Sequence, residues 1–419
     1  MVKSRRNTLV ALTLACAFVT LGIDALIEPF GSRTALRTSI LEGREVVEGE
    51  VIVRYRDDAG PIGRERAEFQ AAIDGSDTIG RQGARRLRSR QLSTQQMIAA
   101  LRSNPAVQYV EPNYVIRANA VPNDAWFGNL WGLLNTGQNV DGRDGVPGAD
   151  INAVPAWDIT TGSRTNIVAI LDTGIDATHP DLAANIFTAP RQFTVTISGA
   201  QLTCPAGTRG FNAMLNTCNA IDDNGHGTHV AGIIGAVGNN GIGVTGINWT
   251  ANVLPLKVLD STGTGTTTDA IEAIEFAIGV KNTLGADGNI RILNASWGGG
   301  VFSQALNDAI QAANNKDMLF VASAGSGGND NDVTPHYPAS SAVPNVISVA
   351  AVDNTGQLAS YSNYGASSVH LAAPGDSALS TKLNGSYDYL GGTSIAAPFV
   401  SGTAALLLTA CPSNTATLK

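Results

Sequence analysis

The sequence predicts an α/β fold: a large domain built on a parallel sheet between helical layers, preceded by a small α+β domain. Three observations predict it. From Asn166 onward, short apolar runs alternate with helix-length amphipathic segments. The runs, such as Ile167 to Leu171, are continuously apolar, as strands buried on both faces are. Ahead of Ala118, a strand, helix, helix, strand pattern occupies about 70 residues, the size of a small α+β unit.

In order, Met1 to Ala25 reads as a secretory signal, with Lys3, Arg5 and Arg6 before apolar Leu9 to Leu21. Residues 26–45 show no period and read as a flexible lead. Val46 to Tyr55 alternates as a strand does. Arg64 to Ile73 and Thr94 to Leu101 are helix candidates, the second with Ser93 as N-cap. The spacing returns to a strand over Val107 to Val115, with Pro112 expected to break it. Arg81, Arg85, Arg86, Arg88 and Arg90 read as a solvated loop between the helices. Residues 46–118 make the first domain and 119–419 the second, with Asn119 to Gly148, rich in Gly and Asn, as an extended lead onto its surface.

Beyond Ile167, helices are expected at Val230 to Val237, Thr268 to Val280, Ser303 to Asn314 and Ile395 to Thr409. Strands are expected at Val253 to Leu259, Ile290 to Ala295, Met318 to Ala322 and Val346 to Val352. In parallel α/β sheets, sites gather at the carboxyl ends of strands.

Charge divides with the domains. Residues 121–419 hold 10 Lys+Arg against 22 Asp+Glu, net −12, and residues 1–120 hold 17 against 13, net +4. Such halves attract each other, and the acidic body offers no basic patch for nucleic acid. Of the 4 cysteines, Cys16 lies in the signal segment. Cys204 and Cys218 flank a short loop and suit a disulfide in an exported chain. Cys411 is left over, either a buried thiol or paired beyond the chain.

Three polar residues stand out. Asp172 ends the apolar run Ile167 to Leu171, so a carboxylate stands at the rim of the sheet; an Asx-turn residue would read the same way. His226 lies between glycines in Gly225-His226-Gly227-Thr228-His229. Two histidines three apart also suit a metal, but no third zinc ligand follows at a suitable spacing. Ser394 follows Gly391-Gly392 and opens an apolar helix. There, N–H groups and the helix dipole favour negative charge, although an ordinary N-cap looks alike. Carboxylate, imidazole and hydroxyl together make a nucleophile system in which the acid orients the base and the base takes the serine proton.

The order Asp172, His226, Ser394 and the stretches around each resemble the subtilisin-like serine peptidases, peptidase family S8. Matching segments are Leu171 to Ile175, His226 to Gly232 and Gly392 to Gly402. Asn239 to Val244, Lys257 to Asp260 and Asn294 to Gly299 fall in line. Residues 46–117 resemble the family's inhibitory propeptide. The resemblance implies a subtilisin-like three-layer catalytic domain and a secreted serine endopeptidase made as a self-processing zymogen. Its expected partners are polypeptide substrates and its own propeptide, as a monomer free of nucleic acid and, after signal cleavage, of membrane.

By the same resemblance, Ser296, Trp297 and Gly298, with Gly263, Thr264 and Gly265, pair with an extended substrate. Ser323, Ala324 and Gly325 wall the pocket for the residue before the scissile bond. Asp124, Asp181, Gly238, Asn240, Ile242 and Val244 match a structural Ca2+ site of oxygen ligands. Two departures stand against the pattern. Ser326 takes the position of the asparagine whose amide serves the oxyanion, leaving the Ser394 N–H as the other donor. This makes a catalytically impaired peptide-binding protein the rival expectation. Only 25 residues follow Ser394, which suggests an incomplete C-terminus with Ala404 to Leu408 short of cover.

Overall fold

The computed structural model describes residues 37–41, 44–116 and 120–415. The signal segment lies outside them. The chain forms two compact units, residues 1–117 and 118–419.

In the first unit, strands Thr38–Leu41, Arg44–Tyr55, Gly75–Ile79, Ala84–Arg88 and Val107–Tyr114 form an antiparallel sheet. Helices Pro61–Gln70 and Thr94–Arg102 complete it. Buried Val51, Val53, Leu87, Met97 and Leu101 fill the core. Ser93 caps the second helix as expected, with Gln96 closing a capping box.

Three expectations are corrected here. The arginine run is not a loop. It forms one arm of a hairpin, with Arg86 and Arg88 on Asp77 and Arg90 on Asp74. Leu87, the one buried hydrophobic residue in the run, faces the core. Pro112 does not end its strand, because Val107–Tyr114 pairs on one side only and an edge tolerates a missing N–H. Part of the lead is structured, with Thr38–Leu41 paired to Arg44–Val47.

In the second unit, strands β1 (Ile167–Asp172), β2 (Phe211–Asn212), β3 (Asn252–Lys257), β4 (Ile290–Ala295), β5 (Leu319–Ser323), β6 (Val346–Val352) and β7 (Leu371–Pro374) form one sheet. It is parallel throughout, in the order β2-β3-β1-β4-β5-β6-β7. Helices α1 (His226–Gly235), α2 (Thr267–Leu284), α3 (Gln304–Asn314) and α4 (Thr393–Ala410) cover it. The alternation within β1 separates two cores. Val168 and Ile170 join α1 and α4, whereas Ile167, Ala169 and Leu171 join α2 and α3. Three layers result. Neighbours β3 and β4 lie on opposite sides of β1, so the order reverses there and opens a crevice at its carboxyl end.

Helices α1 and α4 are tied to each other. Asn248 donates from one amide to the carbonyls of Ile234 in α1 and Gly402 in α4, at 3.1 and 2.9 Å. A side chain at Gly402 would press on Ile247 at 2.9 Å and on the Ile234 backbone at 3.4 Å.

Several segments differ from expectation. Within the expected extended lead, residues 120–148 are not confined to the surface: Leu130, Trp131 and Leu133 are buried, and the Trp131 indole donates to Ser377 O. Hairpins Phe193–Cys204 and Ala378–Leu390 carried no clear signal. Cys204 and Cys218 form the expected disulfide, and Cys411 is an exposed thiol rather than a buried one. Ala404, Ala405, Leu406 and Leu408 are covered, contrary to expectation, with Leu407 half-exposed.

Candidate active site

Asp172 is the last residue of β1 and fully buried. One carboxylate oxygen, Oδ1, accepts from the Thr173 N–H at 2.8 Å and meets His226 Nδ1 at 2.8 Å. The other ring nitrogen, Nε2, lies 3.1 Å from Ser394 Oγ. The three predicted residues therefore stand in line.

His226 opens α1, and its neighbours explain why glycines flank it. Gly225 sits at φ +99°, a region few side chains adopt. A Cβ on Gly227 would lie 2.1 Å from Gly174 O and 3.1 Å from the Asp172 side chain. The helix start rests directly on the acid.

Asp222, which sequence reasoning missed, holds this start. Its carboxylate accepts from Asn224 N–H, Gly225 N–H, Thr228 N–H, Thr228 Oγ1 and Thr173 Oγ1 at 2.6–3.0 Å. Thr173 Oγ1 in turn accepts from Gly227 N–H at 2.9 Å. An acid just ahead of a helix with free N–H groups was the available signal. Burial by itself would lower the His226 pKa. The Asp172 charge and hydrogen bond outweigh it, Asp222 adds to them, and the imidazole lies above its ordinary 6.5. His229 faces away: its Nε2 meets Asp388 O, and burial depresses its pKa to about 3. The two histidines do not converge on a metal.

Ser394 is the second residue of α4, not its cap; Gly392 holds that place. Pro398, one turn on, has no N–H for the Ser394 carbonyl. The Ser296 hydroxyl supplies the missing bond at 2.6 Å. Behind it, Asn294 Nδ2 donates to Ser296 Oγ and Ser401 donates to Asn294 Oδ1. A buried polar chain thus fixes the serine backbone.

Ser326 does sit beside the serine. Its hydroxyl oxygen accepts from Thr393 N–H at 3.1 Å and lies 3.2 Å from Thr393 Oγ1. Ser323, Ala324 and Gly325 leave the end of β5, and Gly325 N–H donates to Thr393 Oγ1 at 3.0 Å. Gly265, Trp297 and Gly298 line one cleft of ≈260 Å³, while Gly263 and Thr264 lie on the exposed turn beside it.

Asp124, Asp181, Asn240 and Val244 of the expected calcium set are joined by hydrogen bonds. Asp124 accepts from the N–H groups of Asn239 and Asn240; Asp181 accepts from Asn240 Nδ2, Val244 N–H and Tyr387 OH. Both carboxylates are buried, and neither forms an ion pair with Lys or Arg among the described residues. Burial, and then the Asp181 charge, push the Asp124 pKa upward. Two buried acids with no counter-charge fit a cation. Among the described residues no group of three or more His, Cys, Asp or Glu is poised for metal, so loop amide and carbonyl oxygens at Gly238, Asn240, Ile242 and Val244 would complete the set.

Carboxylate, imidazole and serine hydroxyl in line at the carboxyl edge of a parallel α/β sheet have the arrangement of a serine hydrolase. Residues 163–418 match the subtilase family, peptidase S8, and residues 34–113 match the fervidolysin N-terminal prodomain. The chain belongs to the subtilase family: it is a subtilisin-like serine proteinase with a prodomain. It is 33% identical over 362 residues to a thermophilic serine proteinase of Bacillus sp. (strain AK1), covering 86% of this chain and 78% of that one. Thermitase of Thermoactinomyces vulgaris is 38% identical over 61% of this chain and 79% of its own. An extracellular protease of Xanthomonas campestris pv. campestris is 37% identical over 75% of this chain, which spans 54% of that relative.

Proposed function

We propose that this proteinase is an endopeptidase that works through an acyl-enzyme on Ser394. The carrying observation is the pair of hydrogen bonds joining Asp172 to His226 and His226 to Ser394, at 2.8 and 3.1 Å. His226 takes the Ser394 proton as Oγ attacks the peptide carbonyl, then returns it to the leaving amine, while Asp172 holds the ring and stabilises its cation. The oxyanion forms at the start of α4, against the Ser394 N–H. Substrate lies extended between Gly263–Gly265 and Ser296–Gly298 as an added strand.

Residues 46–118 act as an inhibitory propeptide, removed by self-cleavage near Asn119 or Ala120, and residues 1–25 direct export. The name of the Xanthomonas relative favours an extracellular site of action. Subtilases commonly bind calcium, and Asp124, Asp181, Gly238, Asn240, Ile242 and Val244 would hold it here, where it stiffens the loop.

The test is the intact mass of the secreted chain, wild type beside Ser394→Ala. Loss of about 120 residues in wild type alone, the cleavage a working nucleophile performs on its own chain, supports the reading. Equal processing of both would refute it. One observation favours a second reading, a peptide-binding protein with little turnover: the Ser326 hydroxyl is already engaged with Thr393. Processing seen only in a Ser326→Asn chain would select that reading.

A further inference from the structure

One histidine takes no part in the chemistry above. His336 lies in the segment 335–338 and is half-buried. Its neighbour Tyr337 exchanges both backbone hydrogen bonds with Gly299, at 2.7 and 2.6 Å, which docks the segment against the loop after β4. A Cβ on Gly298 would lie 2.4 Å from His336 Nε2, and one on Gly325 would lie 3.0 Å from His336 Cγ. The imidazole therefore fills the gap between the loops that leave β4 and β5. These same loops hold the serine: Ser296 bonds the Ser394 carbonyl and Gly325 bonds Thr393. Ser323 to Gly325 are the expected wall of the pocket for the residue before the scissile bond, so a side chain entering between these loops would meet this ring.

The ring is chemically free. Neither nitrogen has a hydrogen-bond partner among the described residues, although the backbone N–H is held by Ser340. The groups placed against it are Gly298 on one loop, Gly325 on the other, and the neutral amide of Asn363. None of these carries charge, and burial alone acts on the ring, lowering its pKa.

Resting on the peptidase reading, we propose that His336 is the recognition group for the side chain before the scissile bond and selects acidic ones, glutamate and aspartate. A carboxylate gives the ring a partner that no protein group provides. A charge-assisted hydrogen bond then forms once the ring takes a proton. Because burial favours the neutral ring, preference strengthens as pH falls. The same ring shortens the pocket and excludes large aromatic side chains.

The experiment measures kcat/KM of the processed enzyme on succinyl-Ala-Ala-Pro-X p-nitroanilides, with X as Glu, Gln or Phe, from pH 8 to 5.5. Taking the Glu-to-Gln ratio cancels the titration of His226. The ratio is expected to rise about tenfold over that range, the size of one charge-assisted bond. In His336→Gln it stays flat, and in His336→Gly the Phe substrate gains on both others. A flat wild-type ratio, or an equal rise in His336→Gln, overturns the inference while leaving the peptidase intact. Cleavage that survives Ser394→Ala overturns the peptidase assignment separately, and absence of all cleavage overturns both.

Discussion

Replacing Gly227 by alanine sets two effects against each other. Alanine is the better helix former, by about 1 kcal/mol in a helix interior. On propensity alone Gly227→Ala strengthens α1. The packing says the opposite. The new methyl would stand 2.1 Å from Gly174 O, about 1.3 Å short of the 3.4 Å of ordinary contact. That neighbour is backbone, and Asp172 Oδ1 lies 3.2 Å from the same point, so no flexible side-chain end can yield. Overpacking of this kind costs about 1–3 kcal/mol, leaving a net loss of up to about 2 kcal/mol and a Tm lower by a few degrees. The larger consequence is positional. Relief of the clash moves the His226 end of α1 away from Asp172, and a shift of about 1 Å in a catalytic array costs about 10²-fold in rate. The assay is kcat/KM on a peptide anilide beside a thermal melt. Activity within threefold of wild type would show that the helix start tolerates displacement and that its seat on Asp172 is not what aligns the base.

Further outcomes follow from the same geometry. His226 must be neutral to act as base, and its pKa is raised, so kcat/KM falls with acid through a midpoint above 6.5. Asp222→Asn removes one of the charges that raise it and should move that midpoint downward. Ser326→Asn restores an amide donor toward the oxyanion and is expected to raise kcat by about 10²-fold, near the loss measured when subtilisin gives up its own donor; no change would mean that Ser326 already serves. Removal of calcium by chelation should lower Tm, by the equivalent of about 2.7 kcal/mol if the ion is held at 100 times its Kd, and Asp181→Asn should lose most of that sensitivity. A Cys204→Ser, Cys218→Ser double variant should lose about 3 kcal/mol of stability, read as denaturant midpoint.

Where residues repeat a simple period, the sequence was enough. Ile290 to Ala295 and Val346 to Val352 match their strands residue for residue, because strands buried on both faces are dominated by apolar residues. The line of Asp172, His226 and Ser394 was legible because each carries its own glycine-rich surroundings. What escaped notice depended on distant partners. The arginine run hid a strand because only Leu87 faces inward, and the charges are satisfied across a hairpin by Asp77 and Asp74. Trp131 sat in a Gly/Asn-rich stretch whose burial comes from elements far along the chain. Asp222 looks like any turn acid until the five donors around it converge.

The shared bond from Asn248 to both helices has a reach beyond packing. Ile234 is eight residues from His226, and Gly402 is eight residues from Ser394, about 12 Å along each helix. The two reacting side chains are thus the tips of a pair of calipers, hinged where Gly402 leaves room for Ile234. Opening the hinge slightly widens the gap between base and nucleophile without touching either. Random variants gained or lost in laboratory evolution should accordingly collect at this pivot, out of sight of the substrate, and would be mistaken for silent core changes unless turnover were measured.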